Sequence, residues 1–368
     1  MKKPKNNNHK IAIISDLHYG IKSDNPAFLD SNKLFFDNVL FPTLKSENVS
    51  VVIQMGDVFD RRKYINYVTA SRTREDFLEP INKLNIPVKM IVGNHDVFYK
   101  STNENNSFKE LIDGRYKNIE TFYDCHEFEI DNIKILLIPW ISPENRERSL
   151  NSIEQSLASI CFGHLELKGF EMIKGSINDH GDPIELFEKF TSVYSGHYHH
   201  PSTRGNVFYL GANGEFNWGD SGGDRGFHIL DSGSLKTTFY PNPYKMFVKI
   251  FYDDIKTPVD EIMNTDFKYY QGKFVKLIVR NCVNTECYEL FYAALEAANP
   301  SDIQIVQESI KMELDDKAMN EEEINAAETT MDIFSKYIET VSTNVDRKQL
   351  KKTMDEIYNK AVSEMTNI

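Results

Sequence analysis

Five short clusters of carboxylate, amide and imidazole residues stand out in the first 200 positions. They are Asp16-Leu17-His18, Gly56-Asp57-Val58-Phe59-Asp60, Gly93-Asn94-His95-Asp96, Gly163-His164 and Gly196-His197-Tyr198-His199. Alternate positions of an extended segment point to one side, so Asp16 with His18, and His197 with His199, can each chelate a common ion. The glycine before Asp57 lets the backbone turn tightly, so that this carboxylate can reach inward and bridge two cations. Asn94, His95 and Asp96 set an amide oxygen, an imidazole and a carboxylate side by side. Taken singly, each cluster is as well explained by a turn aspartate and a surface histidine. Five of them in this order are very unlikely by accident.

The elements that must position these clusters are short, β-rich apolar runs that stop at Gly, Asp or His. Residues 11–14 lead into Ser15-Asp16, 51–53 into Gly56-Asp57, 88–92 into Gly93-Asn94, 159–162 into Gly163-His164, and Val193-Tyr194 into Gly196-His197. A further run, 135–138, is followed by Pro139-Trp140. Stretches with helical spacing lie between them, such as Leu34, Val39 and Leu44, or Phe77, Ile81 and Leu84. This alternation predicts a mixed α/β layered domain with its chemistry on loops at strand ends. After Pro241-Asn242-Pro243, residues 245–252 and 273–280 read as strands, 285–298 as a helix and 303–306 as a strand, a small α+β unit. Residues 311–323 read as an acidic linker. Ile324, Ala327, Met331, Phe334, Ile338 and Val341 precede the caps Asn344 and Asp346. Leu350, Met354, Ile357, Ala361 and Met365 follow them, predicting a helical hairpin over 324–368 that packs on its own domain or on a partner.

The 368 residues carry 42 Lys+Arg against 55 Asp+Glu, a net charge of −13, which argues against coating nucleic acid by bulk positive charge. The charge is uneven. Residues 1–100 hold 15 basic and 11 acidic side chains, whereas 307–340 hold 3 and 10. Arg61, Arg62, Lys63, Arg72 and Arg74 crowd near Asp57 and read equally as a phosphate-backbone track or a solvated helix face. Four cysteines form no CxxC pair, and no window has the ~18 consecutive apolar residues of a membrane helix. The expectation is a soluble, cytoplasmic protein with no membrane contact. His9, His126, His200 and His228 read as surface or turn histidines, His180 as a loop histidine and Cys161 as a small core residue.

The five ordered clusters resemble the calcineurin-like metallophosphoesterase superfamily over roughly residues 10–240. Further segments resemble SbcD-type nucleases of double-strand-break repair, a family that includes the recombination nuclease subunits of T-even-type bacteriophages. They are 91–96, 137–140 (LIPW), 161–169 (CFGHLELKG), 194–200, Tyr209-Leu210-Gly211 and 224–227 (DRGF). Arg62 departs from the protein-phosphatase pattern, which has glycine there, and Asp60 stands where some nucleases carry histidine. The resemblance implies a two-layer β-sandwich flanked by helices over 1–240, a DNA-capping α+β domain over 245–310, and the hairpin docked on an SMC-like coiled-coil ATPase subunit. It implies one ion on Asp16, His18, Asp57 and His199 and a second on Asp57, Asn94, His164 and His197. It also implies His95 as a catalytic group and a homodimer, formed through helices of the first 90 residues, within a heterotetramer. A donor set without thiolate suits two Mn²⁺, with Mg²⁺ or Fe²⁺ as alternatives, better than structural zinc. Asp60 and Asp96 are expected to support the catalytic histidines by orienting them. The leading expectation is therefore a DNA exonuclease and endonuclease. The alternatives are a phosphomonoesterase or small-molecule phosphodiesterase on the same scaffold, and a DNA-end-binding scaffold with a silent site.

Overall fold

The computed structural model describes residues 9–130, 132–173, 176–307 and 346–353. The chain divides into two compact units. One comprises residues 9–216 with 222–246, and the other comprises 217–221 with the described residues from Phe247 on. The expected linker over 311–323 lies outside the described residues, as does the hairpin over 324–368 except 346–353. In that segment the Asp346 carboxylate accepts from the Lys348 N–H at 2.9 Å, as a helix cap does.

In chain order the first unit lays down β1 (Lys10–Ile14), β2 (Val51–Gln54), β3 (Val88–Ile91), β4 (Ile119–Phe122), β5 (His126–Ile130), β6 (Ile133–Ile138) and β7 (Ile160–Gly163). The hairpin β8 (Glu171–Ile173) and β9 (Ser176–Ile177) follows. Then come β10 (Ser192–Ser195), β11 (Ser202–Arg204), β12 (Val207–Tyr209), β13 (Gly226–Asp231) and β14 (Lys236–Pro241). Two six-stranded mixed sheets result, ordered β14-β13-β1-β2-β3-β4 and β11-β12-β10-β7-β6-β5. In the first, β1 to β4 run parallel; in the second, β12, β10, β7 and β6 do.

Period-two alternation explains why these strands read as continuous apolar runs. Ile11, Ile13, Val51, Ile53 and Ile91 pack with Ile135, Leu137, Ile160, Phe162 and Tyr194 between the sheets. Their neighbours Ala12, Ile14, Val52 and Met90 point outward to Leu29, Phe35, Phe36, Phe77 and Ile81 on helices. On the second sheet, Leu136, Ile138, Cys161 and Val193 do the same toward Ile153 and Phe187. Both faces are covered, so both sets are apolar. This is the expected two-layer sandwich flanked by helices.

One helical expectation fails in phase. Leu34 is exposed, and Phe35, Phe36 and Leu40 are buried instead. The helical run 26–46 widens to π geometry over Phe36–Leu40, and the run 67–83 does so over Arg74–Leu78. Each wide turn holds the residue four positions before a proline (Pro42, Pro80), where a regular turn would lose its hydrogen bond and meet the ring.

The second unit is a parallel sheet, β15 (Phe247–Asp253), β16 (Phe274–Asn281) and β17 (Asp302–Gln307), crossed over by helices Val259–Met263 and Thr285–Ala297. Val248, Ile250, Tyr252, Leu277, Phe291 and Leu295 form its core. Segment 217–221 belongs here because Trp218 packs against Phe247, with ring centroids 5.2 Å apart, and under the Lys276 ammonium at 4.2 Å. No sequence signal marked that insertion.

Candidate metal centre

Because β1, β2 and β3 are parallel, the loops that follow them leave the same edge of their sheet. The loops after β7 and β10 bring the second sheet's histidines to meet them. Four site residues have left-handed backbone: Asp16 (φ 35°), His18 (45°), Asp57 (52°) and His197 (86°). Such conformations cost non-glycine residues about 1–3 kcal/mol each and persist only where surrounding contacts impose them. Here the N–H groups of Leu17 and His18 donate to the Asp57 carbonyl at 2.9 and 3.0 Å, tying the first two loops together. Gly56 is required sterically as well as by its φ of 92°. A Cβ there would lie 2.7 Å from both the Gly93 nitrogen and His164 Nδ1.

The donor atoms converge in two groups. Asp16, His18 and His199 offer ligand atoms all within 4.8 Å of one another, as do Asp57, His164 and His197. His18 Nε2 faces His199 Nε2 at 3.1 Å. Asn94 Oδ1 completes the second group, 2.8 Å from His164 Nε2 and 2.9 Å from His197 Nδ1. Asp57 Oδ2 stands between the groups, 3.8 Å from His18 Nε2 and 3.3 Å from His164 Nε2. His164 Nδ1 donates to the Met55 carbonyl at 2.7 Å, so Nε2 is the nitrogen that faces the Asn94 amide oxygen and that can ligate once it gives up its proton. Carboxylate, amide and imidazole donors that converge in buried space without a thiolate are chemistry that fits a divalent ion at each group.

The electrostatics agree. His18 and His164 are fully buried, which disfavours their charge. The Asp60 hydrogen bond with the Asp57 and Asp16 charges for His18, and the Asp57 charge for His164, outweigh burial and raise both to about 9. Burial also works against the Asp57 carboxylate, yet His164, His95 and His18 hold it well below its ordinary range. His197 falls to about 3 through burial and repulsion from His164, which leaves a neutral imidazole. Burial also lowers His95.

His95 and Asp60 come together beside the first group. His95 Nδ1 donates to the Asp60 carbonyl at 2.5 Å, its backbone N–H donates to Asp57 Oδ1 at 2.8 Å, and the Asp60 carboxylate lies 3.3 Å from His18 Nδ1. His18, Asp60 and His95 thus form a third cluster sharing His18. Asp96 corrects the expectation that it orients a histidine. Its buried carboxylate accepts three backbone N–H groups instead, from Asp57 (2.7 Å), Gly93 (2.9 Å) and Phe59 (3.2 Å). The adjacent tight turns leave those donors facing inward, and a carboxylate two residues past Asn94 is the acceptor within reach. The basic residues separate. Arg62 Nε donates to the Asn94 carbonyl at 2.6 Å and, with Lys63, lines a cavity of about 500 Å³ beside the site. Arg61 pairs with Asp24, Arg72 with Asp30 and Asp76, and Arg74 with Glu75 and Glu79. The three are therefore bound up in the protein's own ion pairs.

Sequence reasoning missed the walls of the site. Phe216 stands edge-on to His18 and His199, with centroids 5.0 and 5.2 Å apart, and Trp140 lies 5.5 Å from His197. Arg225 is 1% exposed and donates to the His199 carbonyl. The DRGF segment was the available signal, since a buried arginine beside an apolar strand needs an acceptor.

Residues 9–201 match the profile of the calcineurin-like phosphoesterases. The chain is also similar to "Exonuclease subunit 1" of Enterobacteria phage T4, 30% identical over 349 residues, which spans 95% of this chain and 98% of the relative. A more distant relative, one of the subunits of the nuclease SbcCD of Staphylococcus saprophyticus, is 23% identical over 62% of this chain and 67% of its own length.

Proposed function

The chain belongs to the calcineurin-like phosphoesterase family, and from that premise we propose that it is the DNA-cleaving subunit of a nuclease–ATPase complex. The observation that carries the reading is the Asp57 carboxylate standing between two donor groups, a geometry suited to phosphodiester hydrolysis at a dinuclear centre. We assign one ion to Asp16, His18, Asp57 and His199 and the other to Asp57, Asn94, His164 and His197, and name Mn²⁺ as the physiological metal, with Mg²⁺ or Fe²⁺ as alternatives. Bound there, two divalent ions would ionise a water near neutral pH and offset charge on the phosphoryl oxygens.

The rest of the mechanism belongs to the protein. The Met55 carbonyl fixes the His164 tautomer, and Phe216 and Trp140 limit how the imidazoles can tilt. His95 has Nδ1 committed to the Asp60 carbonyl, so Nε2 is the ring nitrogen left for a substrate oxygen. From there it can stabilise the phosphoryl group or pass a proton to the leaving oxygen. Arg62, anchored on the Asn94 carbonyl, and Lys63 supply positive charge for the strand next to the scissile phosphate.

The relatives are named as subunits, which supports a partner, and the tail over 324–368 is our candidate for its docking segment. A homodimer would use the helical run 67–83, where Tyr67 is 95% and Val68 63% exposed. Among the described residues no helix is long and apolar enough to cross a membrane. The purified chain with Mn²⁺ should be offered double-stranded DNA ends, single-stranded DNA and p-nitrophenyl phosphate. Cleavage of DNA is expected, and turnover of p-nitrophenyl phosphate alone would overturn the nuclease reading. Deleting 324–368 should preserve metal-dependent cleavage and remove binding to a coiled-coil ATPase partner.

A further inference from the structure

The cavity beside the metal centre is lined by three aromatic rings that the core does not use. Tyr64 is 61% exposed, Tyr99 54% and Phe98 40%, although each lies within four residues of a site residue, Asp60 or His95 and Asp96. Phe98 and Tyr99 meet edge to face, centroids 4.6 Å apart, which fixes two ring planes at the wall. The Arg61 guanidinium lies 4.9 Å from the Tyr64 ring centre and so props that ring. Arg62 and Lys63 join the lining on the side of Asn94, and among the described residues Glu110 is the one acidic side chain that lines the cavity. Its volume of about 500 Å³ falls within the ordinary range for a small-molecule subsite. Aromatic faces beside two cations match a planar base joined to a phosphate, whereas an apolar peptide would leave both cations without a partner.

We propose that this cavity is a nucleotide subsite, in which one unpaired base stacks on Tyr64 and the Phe98–Tyr99 pair while its phosphate lies on Arg62 and Lys63. The proposal rests on the reading of the chain as a DNA phosphodiesterase and adds what that reading lacks. A base inside a duplex has no free face, so the occupant is single-stranded DNA or a frayed end. The nucleotide next to the scissile phosphate is thus held out of its stack. Any base can occupy the site, because every base has a π face.

The test uses the full chain with Ca²⁺ in place of Mn²⁺, to hold cleavage off, and short single-stranded oligonucleotides. Each carries either 2-aminopurine or an abasic position, moved one step at a time along the strand. Quenching of 2-aminopurine is expected at one or two positions flanking the bond that Mn²⁺ later cuts. The exposed pair Tyr64→Ala and Tyr99→Ala should weaken binding of base-bearing strands by about 5- to 100-fold. The strand that is abasic at the quenched position should lose none of its remaining affinity, and Tyr64→Phe with Tyr99→Phe should restore the base-dependent part. Absence of a quenched position, or an equal loss on abasic and base-bearing strands, overturns the subsite. If wild-type protein cleaves DNA while these variants bind base-bearing strands normally, the subsite fails and the nuclease reading stands. If wild type neither binds nor cuts DNA yet hydrolyses p-nitrophenyl phosphate, both fail.

Discussion

Asp96→Asn separates a structural brace from an orienting acid. The Asp96 carboxylate is 2% exposed; Oδ2 accepts from the N–H groups of Asp57 and Gly93, and Oδ1 accepts from Phe59. Asparagine has the same shape but one acceptor oxygen. If that oxygen stays over Asp57 and Gly93, the amide NH₂ is driven against the Phe59 N–H; if it flips, two donors are stranded. A hydrogen bond to a charged group contributes about 1.5–3 kcal/mol, and a buried unsatisfied donor costs about 1–3 kcal/mol. Burial and the Asp57 charge raise the Asp96 carboxyl to about 7, so above that pH the substitution should destabilise the metal-free chain by about 2–4 kcal/mol, a large share of an ordinary domain's stability. The damage falls where the Asp57 turn meets the Gly93 turn, so metal affinity should drop with stability, and saturating Mn²⁺ should recover part of both. Urea unfolding with and without Mn²⁺, beside bound metal counted by mass spectrometry, reads the two effects. Asp96→Ala, which leaves all three N–H groups unmatched, should be worse than Asn. An unchanged urea midpoint with full metal content, accompanied by lost turnover, would refute the brace and return Asp96 to the chemistry.

Three further outcomes follow from the same geometry. His95→Ala should lower turnover by about 10²–10⁴-fold and leave the bound metal count at its wild-type value; lost metal would make His95 a ligand. Gly56→Ala should cost about 2–4 kcal/mol from its positive φ and its close approach to Gly93 and His164, measured as a lower urea midpoint with weakened metal binding. His228 on β13, whose ring centroid lies 5.0 Å from that of Phe239 on β14, is lowered to about 4 by burial. Its native state therefore excludes a proton that the unfolded chain takes up near pH 6.5. The stability it allows is fully present above pH 6.5 and falls by about 3 kcal/mol as pH drops toward 4. His228→Phe should flatten that slope in urea titrations run from pH 7 to 4; an unchanged slope would show that other groups govern acid unfolding.

The part of the site that could be read from the sequence is the part written in contiguous residues. Each Gly-Asp, Gly-Asn-His or Gly-His cluster ends a run of apolar residues, and a parallel strand hands such an ending to the same edge as its neighbours. The rest depends on partners far away in the chain. Phe216 reaches His18 across 198 positions, and Arg225 reaches the carbonyl of His199 across 26. Neither distance leaves a local pattern. Asp96 was misread for a related reason. A carboxylate after a histidine suggests a histidine partner, but the two glycine turns aim three N–H groups at it first. His228, expected at a surface or turn, lies within β13, because one histidine in an apolar run does not break the alternation of Gly226–Asp231. The phase error at Leu34 came from a π turn, which adds one residue to the helical repeat and rotates everything before it.

Strain and charge converge on the same residues, and together they say what metal binding does for this fold. Four left-handed residues, Asp16, His18, Asp57 and His197, store about 1–3 kcal/mol each in loops that touch mainly one another. The same loops bury the carboxylates of Asp16 and Asp57. In the metal-free chain that charge draws protons onto His18 and His164, which rise to about 9 despite burial. A protonated imidazole cannot ligate, so divalent ions must displace protons to enter, and affinity must fall as pH is lowered. An ion held by either group would replace a proton with twice the charge and tie both sheets' loops together, since each group draws its donors from both sheets. Metal binding and stability would therefore be one linked equilibrium at this edge of the sandwich, with the free energy of binding offsetting the backbone strain held in the loops.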